Sequence, residues 1–138
     1  MATINMQTMR YINLLDKASN VKTRKCFVYN NTIYFAVPRA FVSKAIGPDA
    51  INVRRIQESL GKKVKIIKET EEERDFERFL QDVVSPTKFK NIEMKDNIVT
   101  ITAGSMQNKA GLIGRNRRRF EELKKILQDL FGFELRIV

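Results

Sequence analysis

Apolar and polar positions alternate with a period of two in two places. Residues 25–37 (KCFVYNNTIYFAV) form two β-rich runs around Asn30-Asn31, and residues 89–102 (FKNIEMKDNIVTIT) form two alternating runs around Asp96-Asn97. Asn and Asp tolerate the positive φ of tight hairpin turns, so each stretch predicts an antiparallel pair. Elsewhere the apolar period is helical. Val53, Ile56 and Leu60 predict one helix, and Phe120, Leu123 and Leu127 predict another. Residues 4–17 place Ile4, Met9, Ile12 and Leu15 roughly on one face. Residues 70–84 do the same with Phe76, Phe79, Leu80 and Val83, stopping before Ser85-Pro86.

These elements repeat. The hairpin turns lie 66 residues apart, and residues 38–47 align with residues 105–114 at an offset of 67. Pro38 suits the first turn of a helix and Ser105 suits an N-cap, so both mark a helix start. Each longer helix is expected to stop, at Gly61 or around Gly132, before a terminal strand at residues 64–67 or 135–138. The order α-β-β-α-α-β is thus predicted twice, over residues 1–69 and 70–138, which is an α+β class of fold. A unit of this length buries only about 60% of its unfolded surface, which is marginal alone. No Gly/Ser-rich linker separates the two, so they are expected to pack as one rigid unit.

Charge divides the chain differently. The 138 residues carry 26 Lys+Arg against 16 Asp+Glu, a net +10. Residues 1–68 hold thirteen bases and three acids and so carry the whole excess, while residues 69–138 hold thirteen of each. Within the second half, residues 69–82 are acidic and read as a solvated face. Residues 105–119 are basic without an acid. The single cysteine, Cys26, excludes an internal disulfide and a thiolate zinc cluster, and the absence of histidine excludes His-based metal sites and catalytic triads. No apolar run approaches the ~18–20 residues that span a bilayer, and the N-terminus lacks a signal-peptide pattern. The expectation is a basic, soluble, cytoplasmic protein with nucleic acid as its partner class.

The shared landmark of the two halves is a glycine between two helices: Ile46-Gly47-Pro48-Asp49-Ala50 and Ile113-Gly114-Arg115-Asn116-Arg117. A glycine turn that opens a helix presents unpaired N–H groups at the positive end of the helix dipole, a natural phosphate cradle. One such glycine would read as a plain helix connector. Two, at the same place in a repeat and flanked by bases, favour the cradle.

With those residues in place, the chain resembles tandem type II KH domains, whose Gly-x-x-Gly loop clamps the backbone of about four single-stranded nucleotides. The pair, with Gly-Arg-Asn in its second loop, resembles the NusA family of transcription termination/elongation factors in its short archaeal form. The resemblance covers essentially the whole chain. It departs at the second loop glycine, which is Ala50 in one unit and Arg117 in the other. It implies single-stranded nascent RNA and RNA polymerase as partners, and a non-enzymatic monomer with no cofactor, metal or membrane. It also implies that residues 64–67, with Lys65, line a groove for bases.

The candidate RNA-binding residues of the first unit are Lys44, Gly47, Pro48, Asp49, Ala50, Asn52, Arg54, Arg55 and Lys65. Those of the second are Lys109, Gly114, Arg115, Asn116, Arg117, Arg118 and Arg119. The arginines sit where positive charge opposes the helix dipole, a placement that suits an anionic ligand. Asn52 and Asn116 have the chemistry for sugar or base edges, or alternatively for capping a helix. Phe27, Tyr29, Tyr34 and Phe35 alternate on the first hairpin, so one subset is expected to face outward, with core packing as the other reading. Cys26 reads as a small buried hydrophobe. Two other functions stay open: a KH-type factor of ribosome or mRNA metabolism, and a duplex-DNA binder using the helix over residues 117–131.

Overall fold

The computed structural model describes residues 5–70 and 75–138. The chain divides after Thr70 into two compact units, each a mixed α+β structure with one three-stranded sheet.

The first unit runs α1 (Met6–Ser19), β1 (Lys25–Tyr29), β2 (Thr32–Val37), α2 (Val42–Ile46), α3 (Ile51–Leu60) and β3 (Lys63–Lys68). Asn30 and Asn31 take φ of 52° and 57°, as the hairpin requires, and put Phe27 opposite Tyr34 and Cys26 opposite Phe35. β3 returns parallel to β2, with Val64 beside Ile33 and Ile66 beside Phe35. Ile33, Phe35 and Val37 therefore share one face with Cys26 and Val64, and they pack there against Tyr11, Leu15, Ala45 and Ile56 from the helices. Each such large apolar side chain, fully buried, contributes about 1.5–3 kcal/mol.

Three expectations change. Tyr11 rather than Met9 joins Leu15 in the core; Met9 is exposed, and Ile4 lies outside the described residues. Pro38 precedes a 3-10 turn, Arg39–Phe41, and α2 proper begins only at Val42. Finally, no subset of the hairpin aromatics faces solvent: Phe27, Tyr29, Tyr34 and Phe35 are all buried. Phe27 stacks on Tyr34 with ring centroids 5.2 Å apart, on the sheet face opposite the helices. β2 is buried continuously from Ile33 to Val37.

The second unit repeats the order with α4 (Phe76–Val84), β4 (Asn91–Lys95), β5 (Ile98–Thr102), α5 (Met106–Ile113), α6 (Arg118–Phe131) and β6 (Glu134–Ile137). β5 lies antiparallel to β4 and parallel to β6, the topology of the first sheet. Here the strands alternate cleanly. Val99, Ile101 and Leu135 are buried, whereas Thr100, Thr102 and Arg136 on the other face are not. Phe76 packs edge-on against Phe131 and Phe133, with centroids 5.1 and 5.5 Å away, and ties α4 to the end of α6. Around the acidic run, Glu69 lies 3.8 Å from Lys25 and Asp82 bridges Arg78 at 2.7 Å, while residues 71–74 are outside the described residues.

Candidate nucleic-acid interface

α2 ends where the Gly47 N–H donates to the Ser43 carbonyl, and α5 ends where the Gly114 N–H donates to that of Ala110. From there the two chains follow one path. Gly47 has φ 81°, ψ 165° and Gly114 has φ 75°, ψ 172°. Asp49 (54°, 30°) matches Asn116 (56°, 29°), and Ala50 (57°, 31°) matches Arg117 (61°, 21°). The Ala50 and Arg117 amides close the turns by donating to Gly47 and Gly114, at 3.1 and 3.2 Å.

Two successive left-handed residues without glycine are unusual, because each costs about 1–2 kcal/mol for an ordinary side chain. Asp49 and Asn116 are the types that tolerate it best. Ala50 and Arg117 are not, yet both hold the backbone that a glycine would adopt. Their departure from Gly-x-x-Gly therefore leaves the path of the chain unaltered.

The first glycine cannot be replaced so easily. A Cβ on Gly47 would stand 2.8 Å from Nδ2 of Asn52, and one on Gly114 would stand 2.5 Å from Cγ of Arg119. Asn52 and Arg119 hold equivalent places in the repeat, 67 residues apart. Asn52 is buried, and its Nδ2 donates to the Lys44 carbonyl at 3.1 Å. Arg119 is half-buried and bonded to Glu122. Both side chains brace the turn from within, so neither sits on the surface where the sequence pattern put it.

The remaining candidates divide by face. Lys44, Pro48, Asp49, Arg54 and Arg55 are exposed around the first turn, as are Arg115, Asn116, Arg117 and Arg118 at the second; Ala50 and Lys109 are half-buried. The Arg117 guanidinium lies 4.6 Å from the Phe120 ring centroid, a cation–π contact that orients it. Lys65 is elsewhere: it pairs with Tyr34 on the sheet face away from the helices, its Nζ 6.0 Å from that ring.

The caps supply a signal that sequence reasoning missed. α1 is capped by Asn5, whose Oδ1 accepts from the Thr8 amide at 2.8 Å, and α5 by Ser105, whose Oγ accepts from Asn108. α3 and α6 begin at Ala50 and Arg117 with no side-chain cap. First-turn amides without an intrahelical partner require an acceptor. At α3 and α6, as at α2 and α4, it must come from outside the cap residue, and the starts of α3 and α6 lie at glycine turns ringed by exposed cations. Among the described residues, no cluster of His, Cys, Asp or Glu could hold a metal ion, and no helix is long and apolar enough to cross a membrane.

The fold and these turns define a class: an α+β protein of two α-β-β-α-α-β units, each with a basic glycine turn between its second and third helices. No protein-family profile matches the chain. It is similar over 96% of its length, at 22% identity, to a Halococcus morrhuae protein described as probable transcription termination protein NusA, of which it covers 94%. A Methanocaldococcus jannaschii protein of the same description is 25% identical over 93% of the chain, which covers 71% of it. By these two relatives the chain is similar to archaeal NusA-like proteins. The crystal structure of APE1850 has the same fold, with a TM-score of 0.67 and 23% identity over 98% of this chain and 100% of that one.

Proposed function

We propose that residues 1–69 and 70–138 are two type II KH domains that hold single-stranded RNA. The protein is not an enzyme in this reading. It acts in transcription termination or elongation control, with nascent transcript as its ligand and RNA polymerase as its partner. The observation that carries the reading is the pair of matching glycine turns, each opening an uncapped helix among exposed cations. Phosphates take the place of the missing caps, accepting from first-turn amides while the arginines and lysines neutralise their charge. Asn52 and Arg119 position the turns and do not touch RNA. The termination role draws its support from the descriptions of the two archaeal relatives.

A salt-dependent titration tests this. If the two turns neutralise roughly 4–7 phosphates, log K for single-stranded RNA falls with log salt at a slope of about −3 to −5. A slope near zero overturns the clamp. Equal or tighter binding to duplex DNA assigns the basic end of α6 to a groove instead.

A further inference from the structure

Of the nine Phe and three Tyr, Phe41 alone is exposed, at 46%. It ends the 3-10 turn before α2, where its N–H donates to the Pro38 carbonyl. Ala45 and the half-buried Val42 and Ile46 turn inward from this segment, whereas Phe41, Ser43 and Lys44 are exposed. Phe41 and Lys44 are three apart and so are neighbours on one face, which runs on to Gly47 and Pro48. Arg39, two residues earlier, is exposed as well.

The second unit isolates what is special here. The residue equivalent to Phe41 is Asn108, whose side chain is tied to the Ala103 carbonyl at 3.0 Å and whose amide is bonded to Ser105. A fold-supporting residue in one unit is thus replaced, in the unit that carries nearly all of the net charge, by an exposed aromatic ring with exposed Arg39 and Lys44 close by in the chain.

We propose that Phe41 is a base-stacking platform for single-stranded RNA held by the Gly47 turn. The inference rests on the RNA reading above and adds to it a position where a base, not a phosphate, is bound. The spacing fits. Six residue steps across the five-residue α2, at about 1.5 Å each, put Phe41 about 9 Å along the axis from Gly47. A clamp on about four nucleotides extends beyond the turn itself, so a base at its far end comes within reach of the ring. Stacking accepts any base and adds no phosphate contact.

The test uses the full chain, a labelled pool of random 12-nucleotide single-stranded RNAs, and the variants Phe41→Ala, Phe41→Leu and Phe41→Trp. Phe41→Ala is expected to weaken binding between about 5- and 150-fold, and Phe41→Leu nearly as much, while Phe41→Trp keeps the affinity. The salt slope stays that of the parent protein in all three, because no phosphate contact is lost. Folding is checked by circular dichroism, and the exposed site predicts little change. Unchanged affinity in Phe41→Ala overturns the platform while leaving the clamp intact, and so does a Leu variant that binds as well as Phe. A parent protein with no salt-dependent RNA binding overturns clamp and platform together.

Discussion

The side-chain amide of Asn52 reaches across the Gly47 turn to the carbonyl of Lys44, 3.1 Å away, and joins the last turn of α2 to the first turn of α3. The bond fixes the angle at which the uncapped end of α3 is presented. Removing it leaves a part-buried carbonyl without this donor, which costs about 1 kcal/mol. Asn52→Ala is therefore expected to lower the unfolding free energy by that amount, read as a lower urea midpoint. Gly47→Ala is expected to do at least as much harm, because its Cβ meets Asn52 and its φ is 81°. Urea denaturation followed by circular dichroism measures both.

The left-handed positions after the glycines predict changes in the opposite direction. Ala50→Gly relieves a φ of 57° and is expected to stabilise by about 1 kcal/mol. Arg117→Gly relieves a φ of 61° but gives up the contact with Phe120, worth about 0.5–1 kcal/mol, so its net gain is smaller. Thermal melts of the two variants should separate them in that order. A destabilised Ala50→Gly would contradict the strain argument.

Arg117 also has a binding consequence. If its guanidinium meets one phosphate, Arg117→Gly weakens RNA binding and makes the salt slope shallower by about 0.7. Tighter binding would mean that the side chain had been blocking the approach of RNA to the backbone.

Pro48 and Arg115 are exposed and equivalent in the two turns. Pro48→Asp and Arg115→Asp each place a carboxylate where a phosphate is expected, at about 1 kcal/mol of repulsion or more, some fivefold in affinity. Exposed sites shift stability by only about 0.5 kcal/mol, so folding should hold. Arg115→Asp changes the local charge by two and Pro48→Asp by one, so the larger loss is expected from Arg115→Asp. Fluorescence titration of single-stranded RNA decides between them.

Cys26 is buried, and burial pushes its thiol from about 9 up to about 12. The folded pKa lies above the unfolded one, so this contribution is complete below about pH 9. It is lost as pH rises toward 12, at up to about 1.4 kcal/mol per pH unit. Cys26→Ala should flatten that alkaline loss in urea titrations. In the native protein at pH 8 the thiol should fail to react with a disulfide reagent until denaturant is added.

Local chemistry made much of this protein legible from its sequence. Asn30-Asn31 and Asp96-Asn97 can take positive φ where other pairs resist, so the hairpins follow from the residues at their turns. Helical periodicity reveals α3, α4 and α6, because Ile56, Phe79 and Leu123 must leave water whatever surrounds them. The repeat locates both glycine turns. Tertiary structure alone decided which side chains those turns spend on themselves. Asn52 and Arg119 look like surface ligands in the sequence, and only the close approach of each helix start to its glycine shows them turned inward. Alternation places Lys65 in a strand, but only the register of β3 beside β2 puts it with Tyr34, away from the helices. Alternation likewise sorts Phe27 and Tyr34 to one face without saying whether that face is wet. A period of two specifies the side to which a residue points, and burial depends on what folds over that side, a property of contacts distant in the chain. Phe41 follows the same logic in reverse: its composition suggests core, and only the packing of α2 through Ala45 leaves its ring in solvent.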